Sequence, residues 1–192
     1  MKKQRREFLQ QSAAATLGFF IVPRFVIGGK GYTAPSDMIN LGFIGTGKQA
    51  RGLLNSFKDK ANIIAGSDVD LNKLHYFHSL ASKYYTQARA EGKISGYKGF
   101  TAYDDYREII ARKDIDAVVI ATPDHWHAKM SIEAANAGKH VYCEKPLAHS
   151  VEEGRAMVNA ARKNKIVFQT GSMQRSWKNF RHACELVRNG YL

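Results

Sequence analysis

The sequence predicts an α/β fold, a doubly wound parallel sheet. Three observations predict it. Short apolar runs of strand length alternate with helix-length amphipathic segments along most of the chain. The strand-length runs are continuously apolar rather than alternating, as strands covered on both faces are. The first of them leads through a glycine turn into a helix, over Leu41-Gly42-Phe43-Ile44-Gly45-Thr46-Gly47-Lys48-Gln49-Ala50.

That stretch spells G-x-G-x-x-A at Gly45, Gly47 and Ala50, the spacing of a dinucleotide-binding turn. Gly45 suits the tight turn. Gly47 lets a pyrophosphate approach the backbone, and Ala50 lets the helix pack on the strand. The free N–H groups and positive dipole of the helix start favour phosphate, so Thr46, Lys48 and Gln49 join the candidate cofactor residues. A second apolar run, Asn62 to Ser67, ends at Asp68. Asp68 follows Gly47 by about 20 residues, where the pattern wants a carboxylate for ribose hydroxyls. A glycine turn plus an acid that merely caps the next helix is the plainer alternative.

The remaining elements follow in order. Leu53, Leu54 and Phe57 share one face of the helix after the turn, and a second helix is predicted from about Asp70 to Tyr85. His75 and His78 on it have metal-ligand spacing but no third ligand nearby, so they read as ordinary surface or core histidines. Glu91 to Gly99 is turn-rich, and Phe100 to Tyr103 is a short strand. Asp104 or Asp105 caps a helix carrying Tyr106, Ile109 and Ile110. Ile115 to Ala121 is the clearest buried strand, ended by Thr122-Pro123-Asp124. A helix from about His127 to Ala137 stops at Gly138. Lys139 to Cys143 is the next strand, followed by Glu144-Lys145-Pro146. Ser150 and Glu153 form a capping box for a helix reaching about Asn164. Ile166 to Gln169 is the last strand, and a helix near Phe180 to Asn189 ends at Gly190.

Composition sets bounds. In 192 residues, 44% of them hydrophobic, there is material for one sizeable core. The net charge of +12 raises nucleic acid as a partner, but no recognition motif accompanies it, and a solvated basic surface is expected instead. The two cysteines, Cys143 and Cys184, make no disulfide framework. Residues 1–35 read as an address and linker. Lys2, Lys3, Arg5 and Arg6 precede an apolar run from Ala13 to Val22, broken by Pro23. That run is shorter than the roughly 20 residues a membrane span needs, so no stable membrane span is expected. Arg5-Arg6-Glu7-Phe8-Leu9 resembles the twin-arginine export signal, which implies a periplasmic protein that folds around its cofactor before export. No clean A-x-A site marks where cleavage falls.

Taken together, the turn at Gly45, the segment Ala121-Thr122-Pro123-Asp124-His125-Trp126-His127, and Gly138-Lys139-His140-Val141-Tyr142-Cys143-Glu144-Lys145-Pro146-Leu147-Ala148 resemble the Gfo/Idh/MocA family. The resemblance runs from about residue 38 to the end, and the E-K-P signature is its most specific feature. It implies a Rossmann domain over residues 36–172, binding NAD, with NADP possible. It also implies hydride transfer with a carbohydrate or cyclitol hydroxyl. Lys145 matches the family's catalytic lysine, which hydrogen-bonds the substrate hydroxyl and is often aimed by a cis Lys-Pro bond. Thr122, Pro123, His127 and Glu144 match positions that line or hold the cofactor. Arg175, with Gln174 and Trp177, follows the last strand and is a further candidate for cofactor or substrate. Trp126 suits either the ligand or a strut between domains. The carboxylate of Asp68 favours NAD, because it repels a 2′-phosphate, while Lys48 or Arg51 can soften that preference.

The family carries a second α/β domain with most substrate contacts and a distal Asp/His pair. The expectation is therefore the nucleotide-binding half, which binds dinucleotide but alone turns over little or no substrate, with residues 173–192 starting the connection, an exposed apolar patch there, and a homo-oligomer for the full-length protein. Two other functions fit the same residues: an NAD-dependent glycoside hydrolase, and a non-catalytic dinucleotide-binding module.

Overall fold

Each buried run becomes a strand of one six-stranded sheet. The computed structural model describes residues 37–91, 97 and 99–192. The leader and linker predicted over residues 1–35, and part of the Glu91–Gly99 loop, lie outside the described residues. The strands are β1 (Ile39–Ile44), β2 (Ala61–Ser67), β3 (Thr101–Tyr103), β4 (Ala117–Ile120), β5 (His140–Glu144) and β6 (Phe168–Gly171). All neighbours pair in parallel, in the order β3-β2-β1-β4-β5-β6. Parallel neighbours need crossovers, and helices supply them: α1 (Lys48–Phe57), α2 (Leu71–Ala90), α3 (Tyr106–Ala111), α4 (His127–Asn136) and α5 (Val151–Lys163), with α6 (Lys178–Arg188) after β6.

The sheet is buried on both faces because successive side chains alternate across it. Phe43, Ile63 and Val119 point to the face covered by Leu53 and Leu54 of α1 and by Phe77, Ala81 and Tyr85 of α2. Ile44, Ile64, Val118 and Ile120 point to the other, covered by Ile109 of α3 and by Met130 and Ala134 of α4. Large side chains among these are wholly buried, each worth about 1.5–3 kcal/mol relative to exposure. Gly42 in β1 leaves the space that Ile109 fills.

Local signals fix the helix starts. Asp70 accepts from the N–H groups of Asn72 and Lys73, and Asp105 accepts from that of Arg107. At α5 the box is displaced by one residue: Ser150 accepts from Glu153 N–H, while Glu153 accepts from His149 N–H instead of Ser150. Several boundaries differ from the sequence prediction. Helix α2 continues to Ala90 because Tyr85 and Ala88 find buried seats that its polar exposed face conceals. Strands β4 and β6 begin two residues late, since Ile115 and Ile166 pack as the loops turn in. His78 stacks on Phe100 at 5.0 Å, and no three potential metal ligands gather among the described residues. None of the described helices is long and apolar enough to cross a membrane.

The chain reverses its winding between β1 and β4. The crevice beyond the carboxyl ends of those strands is the ligand position of open α/β sheets.

Candidate functional site

The turn after β1 is built for its conformation. Gly45 has φ +83°, and its N–H donates to Ser67 O at 2.8 Å. A Cβ there would lie 2.7 Å from Ala121 O and 2.9 Å from Thr122 Cγ2. The turn is thus pressed against the end of β4, with no room for a side chain. Gly47 is the contrasting case. It has φ −68°, and a Cβ on it would meet nothing within 4 Å. It caps α1 without a side-chain hydrogen bond, and the first turn of the helix carries no acid. The first-turn N–H groups of Lys48, Gln49 and Ala50 therefore face a space that suits an anion, and a side chain on Gly47 would intrude on it.

Asp68 is tied to this turn. Its Oδ2 accepts from Thr46 N–H at 2.8 Å and from Thr46 Oγ1 at 3.0 Å, and its Oδ1 accepts from Asp70 N–H at 3.0 Å. The helix-capping role falls to Asp70, two residues on. These three bonds leave one acceptor site, on Oδ1, since a carboxylate accepts about four. Beside it Val69 is 92% exposed. Arg51 lies over the ring of Tyr76, 5.2 Å from its centroid.

A cleft of about 290 Å³ opens at the carboxyl ends of β4 and β5. Gln49, Ala121, Thr122, Asp124, His127, Glu144, Lys145 and Pro146 line it. Glu144 is only 4% exposed, and its Oε1 accepts from Gln49 Nε2 at 3.0 Å and from Tyr142 OH at 3.3 Å. Its carboxyl group lies where a Cβ on Gly171 would be, so Gly171 of β6 makes the room for it. The Tyr142 hydroxyl is pushed up to about 12, chiefly by burial and then by Glu144, so it stays a donor. Lys145 follows β5 directly. It is exposed in the cleft, and its ammonium has no hydrogen bond or ion pair among the described residues. The Lys145–Pro146 bond is cis.

His127 is buried, with Nδ1 2.6 Å from Pro146 O and Nε2 2.9 Å from Thr122 O. One imidazole therefore joins the loops after β4 and β5. Its ring nitrogens are engaged by main-chain carbonyls, so it shapes the cleft wall rather than offering a free group. Thr122 is in the lining and Pro123 stands next to it on the exposed side. Arg175 sits on an exposed 3-10 turn, Met173–Ser176, and is not in the lining. Beyond it α6 buries none of its residues, and Trp177, Phe180, Val187, Tyr191 and Leu192 are exposed.

Two pairings in this site carry no motif signal. Gln49 reaches the end of β5, and His149 meets Asp124 at 3.2 Å. Neither pairing repeats at a fixed sequence spacing, so only the fold brings them together.

Comparison with known proteins agrees with this geometry. Residues 39–172 match the model of the Gfo/Idh/MocA family, described as an oxidoreductase family with an NAD-binding Rossmann fold. A levoglucosan dehydrogenase of Pseudarthrobacter phenanthrenivorans is 50% identical over 72 residues, which are 38% of this chain and 18% of that protein. A glycosyl hydrolase family 109 protein of Shewanella pealeana is 31% identical over 177 residues, 84% of this chain and 37% of the relative. The solved scyllo-inositol dehydrogenase of Lactobacillus casei, with bound NAD(H) and scyllo-inositol, superposes with a TM-score of 0.64 at 25% identity, over 80% of this chain and 42% of that one. The chain thus spans well under half the length of these relatives. With the family model covering most of the chain and the glycine turn, the parallel sheet and the E-K-P strand end in place, the protein belongs to the Gfo/Idh/MocA oxidoreductase family.

Proposed function

We propose that this chain is the cofactor-binding part of an NAD(P)-dependent oxidoreductase that exchanges a hydride with a sugar or cyclitol hydroxyl. The observation that carries the reading is Lys145. It is an unpartnered cation in a cleft that also contains Gln49 of the helix opened by the glycine turn. A cleft with a few convergent polar groups, a charged side chain among them, is the usual form of a ligand site.

The residues fit the cofactor. The space in front of Gly47 suits a pyrophosphate, and the α1 N–H groups supply its donors. Asp68, fixed by Thr46, keeps an acceptor site on Oδ1 for a ribose hydroxyl, and its negative charge makes NAD the expected cofactor over NADP. When bound, the nicotinamide supplies the hydride-accepting carbon. The part of these residues is to position the hydroxyl and to stabilise charge on its oxygen. Lys145 Nζ hydrogen-bonds the reacting hydroxyl oxygen and stabilises the negative charge that grows on it, a contribution of roughly 10²–10⁴-fold. Glu144 holds Gln49 and so joins the phosphate-binding helix to the strand that carries Lys145.

A second reading, an NAD-dependent glycoside hydrolase, is favoured by one observation: the match to the family 109 protein covers more of this chain than the levoglucosan dehydrogenase match does. Export through Arg5-Arg6 is part of the same proposal, tested by fractionating cells that carry Arg5→Lys with Arg6→Lys.

The test is to unfold the purified protein and weigh any nucleotide released, then to follow reduced cofactor with free sugars and cyclitols in the full-length protein. Stoichiometric NAD(P) and net cofactor reduction support the dehydrogenase. Glycoside cleavage without net reduction supports the hydrolase. Absence of binding even to added NAD(P) refutes both.

A further inference from the structure

A second group of side chains stands at the mouth of the cleft. Asp124 lines the cleft and opens the 3-10 turn Asp124–Trp126 after β4. Its Oδ1 accepts from His125 N–H at 3.0 Å and meets His149 Nε2 at 3.2 Å. His149 comes from the loop after β5, four residues past Lys145. The His125 ring lies 6.5 Å from that of His149 and 6.0 Å from that of Trp126. Trp126 is 38% exposed, a broad apolar face next to the His125 ring and two residues from Asp124.

Stability does not account for this group. The Asp124–His149 pair is about half exposed on both sides, and pairs of that kind add little to folding. A metal does not account for it either, as no such ligand group exists among the described residues. What the group does have is the composition of a polyol site: an aromatic face, an ionised acceptor and imidazole nitrogens that donate or accept. Asp124 Oδ2 and His149 Nδ1 carry no side-chain bond among the described residues and are available to hydroxyls. The His149 hydrogen bond outweighs the opposing effect of burial and holds the Asp124 carboxyl below the usual range, so it remains an acceptor down to acidic pH.

We propose that Asp124, His149 and Trp126 form a subsite for a ring-shaped polyol, with the ring face on Trp126 and vicinal hydroxyls on the Asp124–His149 pair. The two loops that carry the subsite also carry Thr122 and Lys145, so a ring seated there presents another hydroxyl to the lysine. This inference rests on the oxidoreductase reading and names the residues that select its substrate class.

The experiment is a titration of the NAD-saturated protein with myo-inositol and glucose, and with acyclic sorbitol as the contrast. It is followed by NMR of the Trp126 indole N–H and the histidine rings, with NAD affinity measured separately. Ring polyols are expected to shift Trp126 and His149, and sorbitol to do so far less. Asp124→Asn, His149→Ala and Trp126→Ala are each expected to weaken ring-polyol binding by roughly tenfold, the scale of one lost hydrogen bond to a charged group, while NAD affinity is kept. Polyol shifts confined to other cleft residues, variants that bind polyol as the parent does, or no polyol binding by the NAD-loaded protein each overturn the subsite. A protein that takes up no NAD overturns the oxidoreductase reading and the subsite with it, and the separate NAD titration identifies that case.

Discussion

Adding one methyl group to each of the two fingerprint glycines should give opposite phenotypes. In Gly45→Ala the new Cβ meets Ala121 O at 2.7 Å and Thr122 Cγ2 at 2.9 Å, and the backbone must hold φ +83°. The left-handed conformation costs an alanine about 1–2 kcal/mol. Overpacking against a main-chain oxygen that cannot swing aside adds about 1–3 kcal/mol. The expected loss is therefore about 2–5 kcal/mol, or roughly 5–20 °C in melting temperature for a domain of this size. In Gly47→Ala the Cβ enters open space at φ −68°, so the fold loses at most about 1 kcal/mol from the poorer helix cap. The methyl instead occupies the approach of the pyrophosphate, and NAD affinity should fall at least about tenfold, some 1.4 kcal/mol. Melting followed by circular dichroism, and calorimetric titration with NAD, measure the two effects separately. A Gly47→Ala protein that binds NAD like the parent would refute the assignment of that space to phosphate. A Gly45→Ala protein that melts like the parent would refute the packing argument.

Three further outcomes follow from the same coordinates. Lys145→Met should retain bound nucleotide but lose roughly 10²–10⁴ in hydride transfer, checked by nucleotide release and single-turnover reduction; equal loss of binding would assign the lysine to the cofactor alone. Asp68→Ala removes the oxygen that accepts both Thr46 bonds and the negative charge, so NAD should weaken while NADP weakens less or improves, read from paired titrations. Alkaline pH should destabilise the fold through Tyr85, whose hydroxyl accepts from Ile63 N–H and donates to Ala61 O inside the core. Burial raises it from 10.0 to about 12, and a raised folded value means the stabilisation is complete below pH 10 and is lost as the pH climbs toward 12. Urea titrations across that range should show the decline. Tyr85→Phe should flatten the part due to this residue and cost about 1–3 kcal/mol at neutral pH for each of the two core groups, Ile63 N–H and Ala61 O, that lose this partner.

The strands and most helices were legible because their cause is local. Continuous apolar runs mark Phe43, Ile63 and Val118 as buried strand residues whatever lies beside them, and Asp70, Asp105 and Ser150 cap helices through bonds reaching two or three residues. Where tertiary packing decides, the pattern ran short. The last turn of α2 is held by Tyr85 and Ala88 against the core, a support that its polar exposed face hides. The same division runs through the site. The glycine turn and Lys145 are chemistry at fixed spacing, whereas the engagement of His127 with two carbonyls follows from where Pro146 and Thr122 come to rest.

By itself the sequence determined the alternation of strands and helices, the glycine turn with its acid about 20 residues on, and the E-K-P segment at a strand end. Periodicity, capping and glycine geometry act over a few residues and are written in their order. Only the tertiary structure decided that Asp68 anchors Thr46, that Gln49 reaches Glu144 across the reversal of winding, that Gly171 makes room for that carboxyl, and that Asp124 meets His149. These contacts join residues from different strand ends, and a parallel sheet brings such ends together only once every crossover has closed.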